Sequence, residues 1–442
     1  MAAQESEQAQ SPQDGRVDLV QLARHVAFAL VVGAAGAAAS IVLTLSVTFA
    51  GGLSARYPWL LFALPAFGLA SIGLYKLLRL PVNLATDNVI DQFRANERIS
   101  GGVAPGILAG TCLSVLGGAS VGMESGALQM GASVGSVLGR PFKLAPVWRR
   151  GRTIPDGYPA ALGMAAAFSA LFFAPLGSMM FVLELARFDR AVLRHVPTML
   201  IATVTAYLIA RAVGIGDVIP KVALPGMSWD IAAHCLLVGL CCAVAGVLFA
   251  SGLRLLRRVV RHRVGRPFVA VAAGGLLFAA LVLAFGWQAY EGTGMDLLRG
   301  ALAGEAGGPD FAIKAALTVL VLGFGFKGGE IMPMFTIGAL LGCMLGHVAG
   351  APAGFSAAIG MAALFAAASR CPFAALLMGV EIFGWAALPF LLIAVAVAYA
   401  GSYDVGVFGR GAAGHVLHAR REARRARDAD TPQDEPTAKE AR

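Results

Sequence analysis

Charge is scarce in this sequence. Of 442 residues only 14% are Asp, Glu, Lys or Arg, while 57% are hydrophobic and the mean hydropathy is +0.72. Soluble domains carry roughly 25% charged residues, so an ordinary water-exposed globule is excluded. Cysteine is sparse too: six residues, all in apolar segments and none in a CxxC pair, which leaves membrane packing as their role. The seven histidines show no metal-ligand spacing. His234 and His347 sit near segment ends and read as packing residues. No metal and no cofactor is expected. The first 18 residues lack the basic start and apolar core of a signal peptide. Residues 410–442 are polar and basic and are expected to be largely disordered, without a folded regulatory domain.

What is present in abundance is apolar sequence. Runs such as 26–52, 58–75, 198–213, 231–253 and 268–286 reach the roughly 17–25 residues that cross a bilayer. Others are too short: 103–116, 127–139, 160–172, 174–186, 353–368 and 371–385, each punctuated by Gly or Pro. Short, interrupted segments in matching places mark broken helices around a midplane site. The fold class is therefore an all-α integral membrane protein with many short, broken helices.

The net charge of +9 is not a nucleic-acid signal, because the basic residues cluster in loops at 140–152, 187–194 and 254–266 and in the tail at 410–427. The stretch 287–310 is acidic, with Glu291, Asp296, Glu305 and Asp310. The positive-inside rule makes the basic loops and both termini cytoplasmic and the acidic loop external. The expected location is the cell's inner (plasma) membrane, with lipid as the surrounding partner.

The chain repeats itself. GMAAAFSALFFAPLGSMMFVLE (163–184) aligns without a gap on GMAALFAAASRCPFAALLMGVE (360–381). Upstream, Gly131, Gly135 and Gly139 match Gly338, Gly342 and Gly346, a four-residue spacing that gives each helix a smooth face for close packing. The expected organisation is a segment 1–22, a first membrane repeat 23–213, a second 214–409 and a tail 410–442. An odd number of spans between equivalent helices makes the repeats inverted, which is a transporter and channel architecture with its site at the repeat interface.

The repeat sets GMESG (122–126) on GEIMP (329–333), and both precede apolar helices. A helix start offers free N–H groups and the positive end of the dipole. Two such starts facing each other make an anion site without any lysine. The candidate anion-binding residues are Gly122, Met123, Ser125 and Gly126 on one side and Glu330, Ile331 and Met332 on the other. Glu124 is itself an anion tethered where a permeating anion would sit, so it reads as a gate and proton carrier; the bland alternative is a first-turn glutamate that satisfies N–H groups. Glu330 reads as a second acidic group by the path, or alternatively as half of a local ion pair with Lys327. Glu184 and Glu381, which end their segments, read as mostly structural.

At this point the residues resemble the CLC family of chloride channels and anion/proton antiporters, over about 26–410. The family's GxEGP is similar to GMESG, with Glu124 at the gating position. Its APLAG…FxxE element resembles APLGSMMFVLE (174–184), and its GxFxP resembles GEIMP in position. The resemblance implies two inverted-topology repeats, a homodimer with one anion path per subunit, and transport of chloride or a similar halide as a channel or proton-coupled antiporter, not an enzyme. The chain departs from the family in several places. Ser125 and Gly126 replace Gly and Pro. The GSGIP serine is missing; ATDNVID (85–91) lies there, with Thr86 as its substitute. The late tyrosine that touches the central anion corresponds to Phe408, with Tyr403 close by. Leu185 stands where chloride/proton antiporters carry an inner proton-transfer glutamate. GGEIMP resembles the fluoride/proton branch, which makes fluoride/proton antiport the second reading, although Met332 stands where that branch has Thr. A cation/proton antiporter would need carboxylates near unwound carbonyls, whereas these lie at helix starts. A membrane enzyme would need a His, Ser/Lys or metal constellation, which the sequence does not show.

Overall fold

The structure is a computed structural model and describes residues 19–142, 144, 157–215, 219–403 and 405–409. The terminal segments 1–18 and 410–442 and most of the 140–152 basic loop lie outside the described residues. The described chain is helical, with no strand beyond one isolated bridge.

Apart from the four-residue helix Arg190–Leu193 and the short 3-10 turns Gln288–Tyr290 and Trp385–Ala387, the described helices fall into two series of eight that match in order and character. The first series is Leu19–Arg56, Pro58–Leu77, Thr86–Arg94, Val103–Leu116, Glu124–Phe142, Tyr158–Phe172, Pro175–Leu185 and Val196–Val213. The second is Trp229–Arg263, Pro267–Phe285, Met295–Ala303, Asp310–Phe324, Ile331–Ala349, Ala353–Ser369, Pro372–Phe383 and Leu388–Gly401. Each series opens with a helix of 38 or 35 residues. At 1.5 Å per residue these are roughly 50–57 Å long, well beyond a ~30 Å hydrocarbon core. Each series then places a 9-residue helix and a 19-residue glycine-bearing helix at corresponding points.

Among the described residues, six helices are long and apolar enough to cross a membrane: Leu19–Arg56, Pro58–Leu77, Val196–Val213, Trp229–Arg263, Pro267–Phe285 and Ile331–Ala349. The most deeply buried helices are two of the short ones. Every residue of Tyr158–Phe172 except Pro159 is buried, and Phe355–Ser369 is buried throughout. Helices that are apolar all round belong in the centre of the bundle. They pack there because their partners are stripped to the backbone. A Cβ at Gly131 would overlap the Gly163 carbonyl, and one at Gly338 would overlap the Gly360 carbonyl. These contacts join the same two helices in each repeat.

The repeats also lock each other through two carboxylates. Glu184 accepts hydrogen bonds from the backbone N–H of Phe373 (3.2 Å) and Ala374 (2.6 Å). Glu381 accepts them from Leu176 (2.9 Å) and Gly177 (2.7 Å). Each glutamate closes one helix and caps the start of its counterpart in the other repeat, where a carboxylate is favoured by free N–H groups and the dipole. The structural reading of both residues holds.

Candidate functional site

The sequence brings GMESG and GGEIMP together, and the backbone shows how. Gly122 N–H donates to the Gly329 carbonyl and Gly329 N–H to the Gly122 carbonyl, each at 2.7 Å, as an antiparallel bridge. Gly328 precedes this bridge with φ +153°, a backbone only glycine adopts freely. Beyond the bridge, helix Glu124–Phe142 starts on one side and helix Ile331–Ala349 on the other. The glycines leave the room. A Cβ at Gly122 would strike the Glu124 carboxylate, Met332 and Pro333, and one at Gly329 would strike Ser125.

Glu124 is fully buried. Its Oε2 accepts the backbone N–H of Met332 at 3.1 Å. The carboxylate of one helix start thus sits on the free N–H groups of the other, the position where two helix dipoles most favour negative charge.

Glu330 is the N-cap of Ile331–Ala349 and is 1% exposed. Its Oε2 accepts the Thr86 hydroxyl at 3.3 Å, and Thr86 Oγ1 in turn accepts Gln129 Nε2 at 3.1 Å. Thr86 opens the short helix Thr86–Arg94, so three helix starts converge here. The alternative reading of Glu330 as half of a local ion pair is corrected by Lys327. Its Nζ donates to the carbonyls of Val82 (2.7 Å) and Leu84 (2.9 Å) and stands 4.2 Å from the centre of the Tyr75 ring. Among the described residues it makes no ion pair with Glu330.

Several buried polar atoms around this centre have no protein partner: Ser125 Oγ, Gln129 Oε1 and Glu330 Oε1. An unsatisfied buried polar atom costs roughly 1–3 kcal/mol, so these atoms are candidate contacts for an ion or a water. Gly126, Met123, Ile331 and Met332 are buried beside it. Phe408 is 2% exposed and Tyr403 is 81% exposed, so Phe408 is the inward-facing aromatic. Its ring meets Phe181 at 6.2 Å, and contacts through Phe365 continue to Phe335 on the Ile331–Ala349 helix. Leu185 is buried at 1%. Sequence reasoning missed Gln129. Its signal was a single amide, five residues beyond Glu124, in an otherwise small and apolar stretch.

A multi-pass helical protein of two inverted repeats, with helix starts meeting at its centre, is a transporter or channel. The family described as voltage gated chloride channel matches residues 84–403. A chloride/fluoride channel protein of Pseudomonas syringae pv. tomato is 32% identical over 421 residues, covering 91% of this chain and 89% of that protein. An H(+)/Cl(-) exchange transporter of Vibrio cholerae is 30% identical over 283 residues, 60% of this chain and 58% of that one. The crystal structure of a CLC-type fluoride/proton antiporter superimposes with a TM-score of 0.81 at 26% identity, covering 89% of this chain and 98% of that one. A slow cyanobacterial Cl-/H+ antiporter shares the fold with a TM-score of 0.72 at 22% identity, over 92% and 99% of the two chains. This chain belongs to the CLC family of chloride channels and anion/proton antiporters.

Proposed function

We propose that this protein is a proton-coupled halide antiporter whose substrate is fluoride, with Glu124 as the gate. The observation that carries the reading is the 3.1 Å hydrogen bond from Met332 N–H to Glu124. An ionised Glu124 fills the seat of a permeating anion. Protonation removes its charge, weakens that bond, and frees the N–H groups for a halide. The carboxylate and the anion then exclude each other from one seat, so an anion enters only when Glu124 carries a proton, which is the coupling that exchange requires.

Glu330 supplies the second half. Ionised, it repels an anion at Thr86. Protonated, it becomes an O–H donor beside the Thr86 hydroxyl, and a small, strongly basic anion gains most from such donors. This supports fluoride over the larger halides. The Pseudomonas chloride/fluoride channel protein and the 26%-identical fluoride/proton antiporter point the same way, and they bring fluoride ahead of the chloride reading. Gly122, Met123, Ser125 and Gly126 with Ile331 and Met332 form the walls of the seat, and Phe408 closes its inner side without a hydroxyl. The homodimer, the plasma-membrane location, cytoplasmic termini and a division of the repeats at 213/214 belong to the same proposal. A passive channel is the second reading, favoured by the apolar Leu185.

The test is efflux from proteoliposomes loaded with fluoride or with chloride. Faster fluoride efflux is expected; chloride efflux that outruns fluoride at equal gradients contradicts the substrate assignment.

A further inference from the structure

Beside the central site lies a cavity of about 130 Å³. A water needs roughly 10–15 Å³ of such space, so a halide fits with part of its hydration shell. The inner wall includes Gln129 and Lys327, and the mouth includes Arg257, Arg261 and Arg266 from the end of Trp229–Arg263 and the basic loop after it. Gln129 is 1% exposed, donates to Thr86, and has no partner for its Oε1. The cavity therefore runs from the basic-loop face to the side chains that surround Glu330.

Arg257 is the residue the mechanism above leaves unused. Among the described residues its guanidinium has one partner, Asp87, with Nη1 to Oδ2 at 3.4 Å. That pair is long, and the two side chains are 19% and 37% exposed. A guanidinium carries five N–H donors, so most of its capacity is uncommitted. Lys327 differs, because two backbone carbonyls hold its ammonium. Arg257 lines the same cavity as Lys327 and Gln129, and Gln129 joins Thr86 and Glu330 by hydrogen bonds. An acidic partner held weakly over a cationic cavity is a counter-ion that a mobile anion can replace.

We infer that this cavity is an anion-docking site on the basic-loop side, in which a small monovalent anion displaces Asp87 from Arg257 before moving past Gln129 and Thr86. The site fits a halide and not a cation, since Arg257, Arg261, Arg266 and Lys327 outnumber Asp87 around it. Its role in transport rests on the antiport reading; the binding itself does not.

The pair gives a test with opposite signs. Arg257→Gln removes the anion's partner and raises the half-saturating anion concentration on the basic-loop face by about ten-fold, the loss expected for one charge-assisted hydrogen bond. Asp87→Asn removes the competitor and lowers that concentration. Half-saturation from the opposite face stays unchanged in both. A mere structural strut would shift both variants the same way, because each breaks the pair. Arg257→Lys, which keeps the charge, tests the site if Arg257→Gln does not fold, and retains most of the affinity. A direct readout is anomalous diffraction from bromide-soaked crystals. A bromide peak beside the Arg257 guanidinium is expected in the wild type and in Asp87→Asn and is lost in Arg257→Gln. Equal shifts in both variants, or no bromide peak in either the wild type or Asp87→Asn, overturn the site. A bromide peak in a protein that moves no anion leaves the site standing and refutes the transport reading instead.

Discussion

Gly122 and Gly329 exchange both of their backbone hydrogen bonds at 2.7 Å, at equivalent points of the two repeats. Two equivalent segments that pair antiparallel are related by a local two-fold axis, so the bridge marks where the inverted halves meet. It fixes the two helix starts against each other and holds Glu124 over Met332. Alanine at Gly122 would drive a methyl group into the Glu124 carboxylate, Met332 and Pro333. Gly122→Ala should cost about 1–3 kcal/mol from overpacking and abolish transport, read as lost efflux and a lower detergent melting point. Normal efflux would show that the seat is looser than the bridge implies.

Glu124→Gln mimics the protonated gate. The amide cannot become anionic, so proton movement should stop and any remaining anion flux should be independent of pH. Simultaneous recording of anion efflux and internal pH checks this. Retained proton coupling would remove Glu124 from the gate.

Thr86→Val keeps the shape of the side chain and deletes its hydroxyl. Glu330 and Gln129 then both lose a partner. The expected cost is about 1–3 kcal/mol in anion affinity, or roughly five- to a hundred-fold in half-saturation. Glu330→Gln should instead change halide selectivity or the proton-to-anion ratio. Wild-type selectivity and ratio in Glu330→Gln would reduce that residue to a helix cap.

Glu291 lies in the loop between Pro267–Phe285 and Met295–Ala303, where Gly292 N–H bonds the Gly118 carbonyl at 3.1 Å and buried Lys314 holds the Tyr290 and Gly292 carbonyls. Burial raises the Glu291 carboxyl to about 7, with the Lys314 charge opposing. The folded state therefore holds its proton more tightly than the unfolded chain. That contribution to stability is full below the ordinary carboxylate pKa of about 4.3 and is lost as pH rises through about 7. The melting point in detergent should fall across that window, and Glu291→Gln should flatten the fall. An unchanged slope would assign it to other groups.

The sequence exposed much of this through the repeat. Glycine spacing and the gapless match of 163–184 with 360–381 predicted paired helices because close backbone contact tolerates no side chain. Glu124 was legible because a lone carboxylate in an apolar run has few cheap explanations. Gln129 and Asp87 were not, since their significance lies in meeting Thr86 and Arg257 across 43 and 170 residues. The partners of Lys327 were hidden for the same reason. Proximity to Glu330 in sequence suggested an ion pair, whereas the carbonyls of residues 82 and 84 satisfy its ammonium at distances a sequence cannot display.

The central claim is exchange of protons for anions through one shared seat. The most direct measurement imposes an outward fluoride gradient across proteoliposomes at equal pH inside and out, and follows both ions in wild type and Glu124→Gln. Fluoride efflux that acidifies the wild-type lumen with the membrane potential clamped, and no acidification with Glu124→Gln, is the predicted result. Fluoride efflux without acidification in the wild type would contradict it and make the protein a channel.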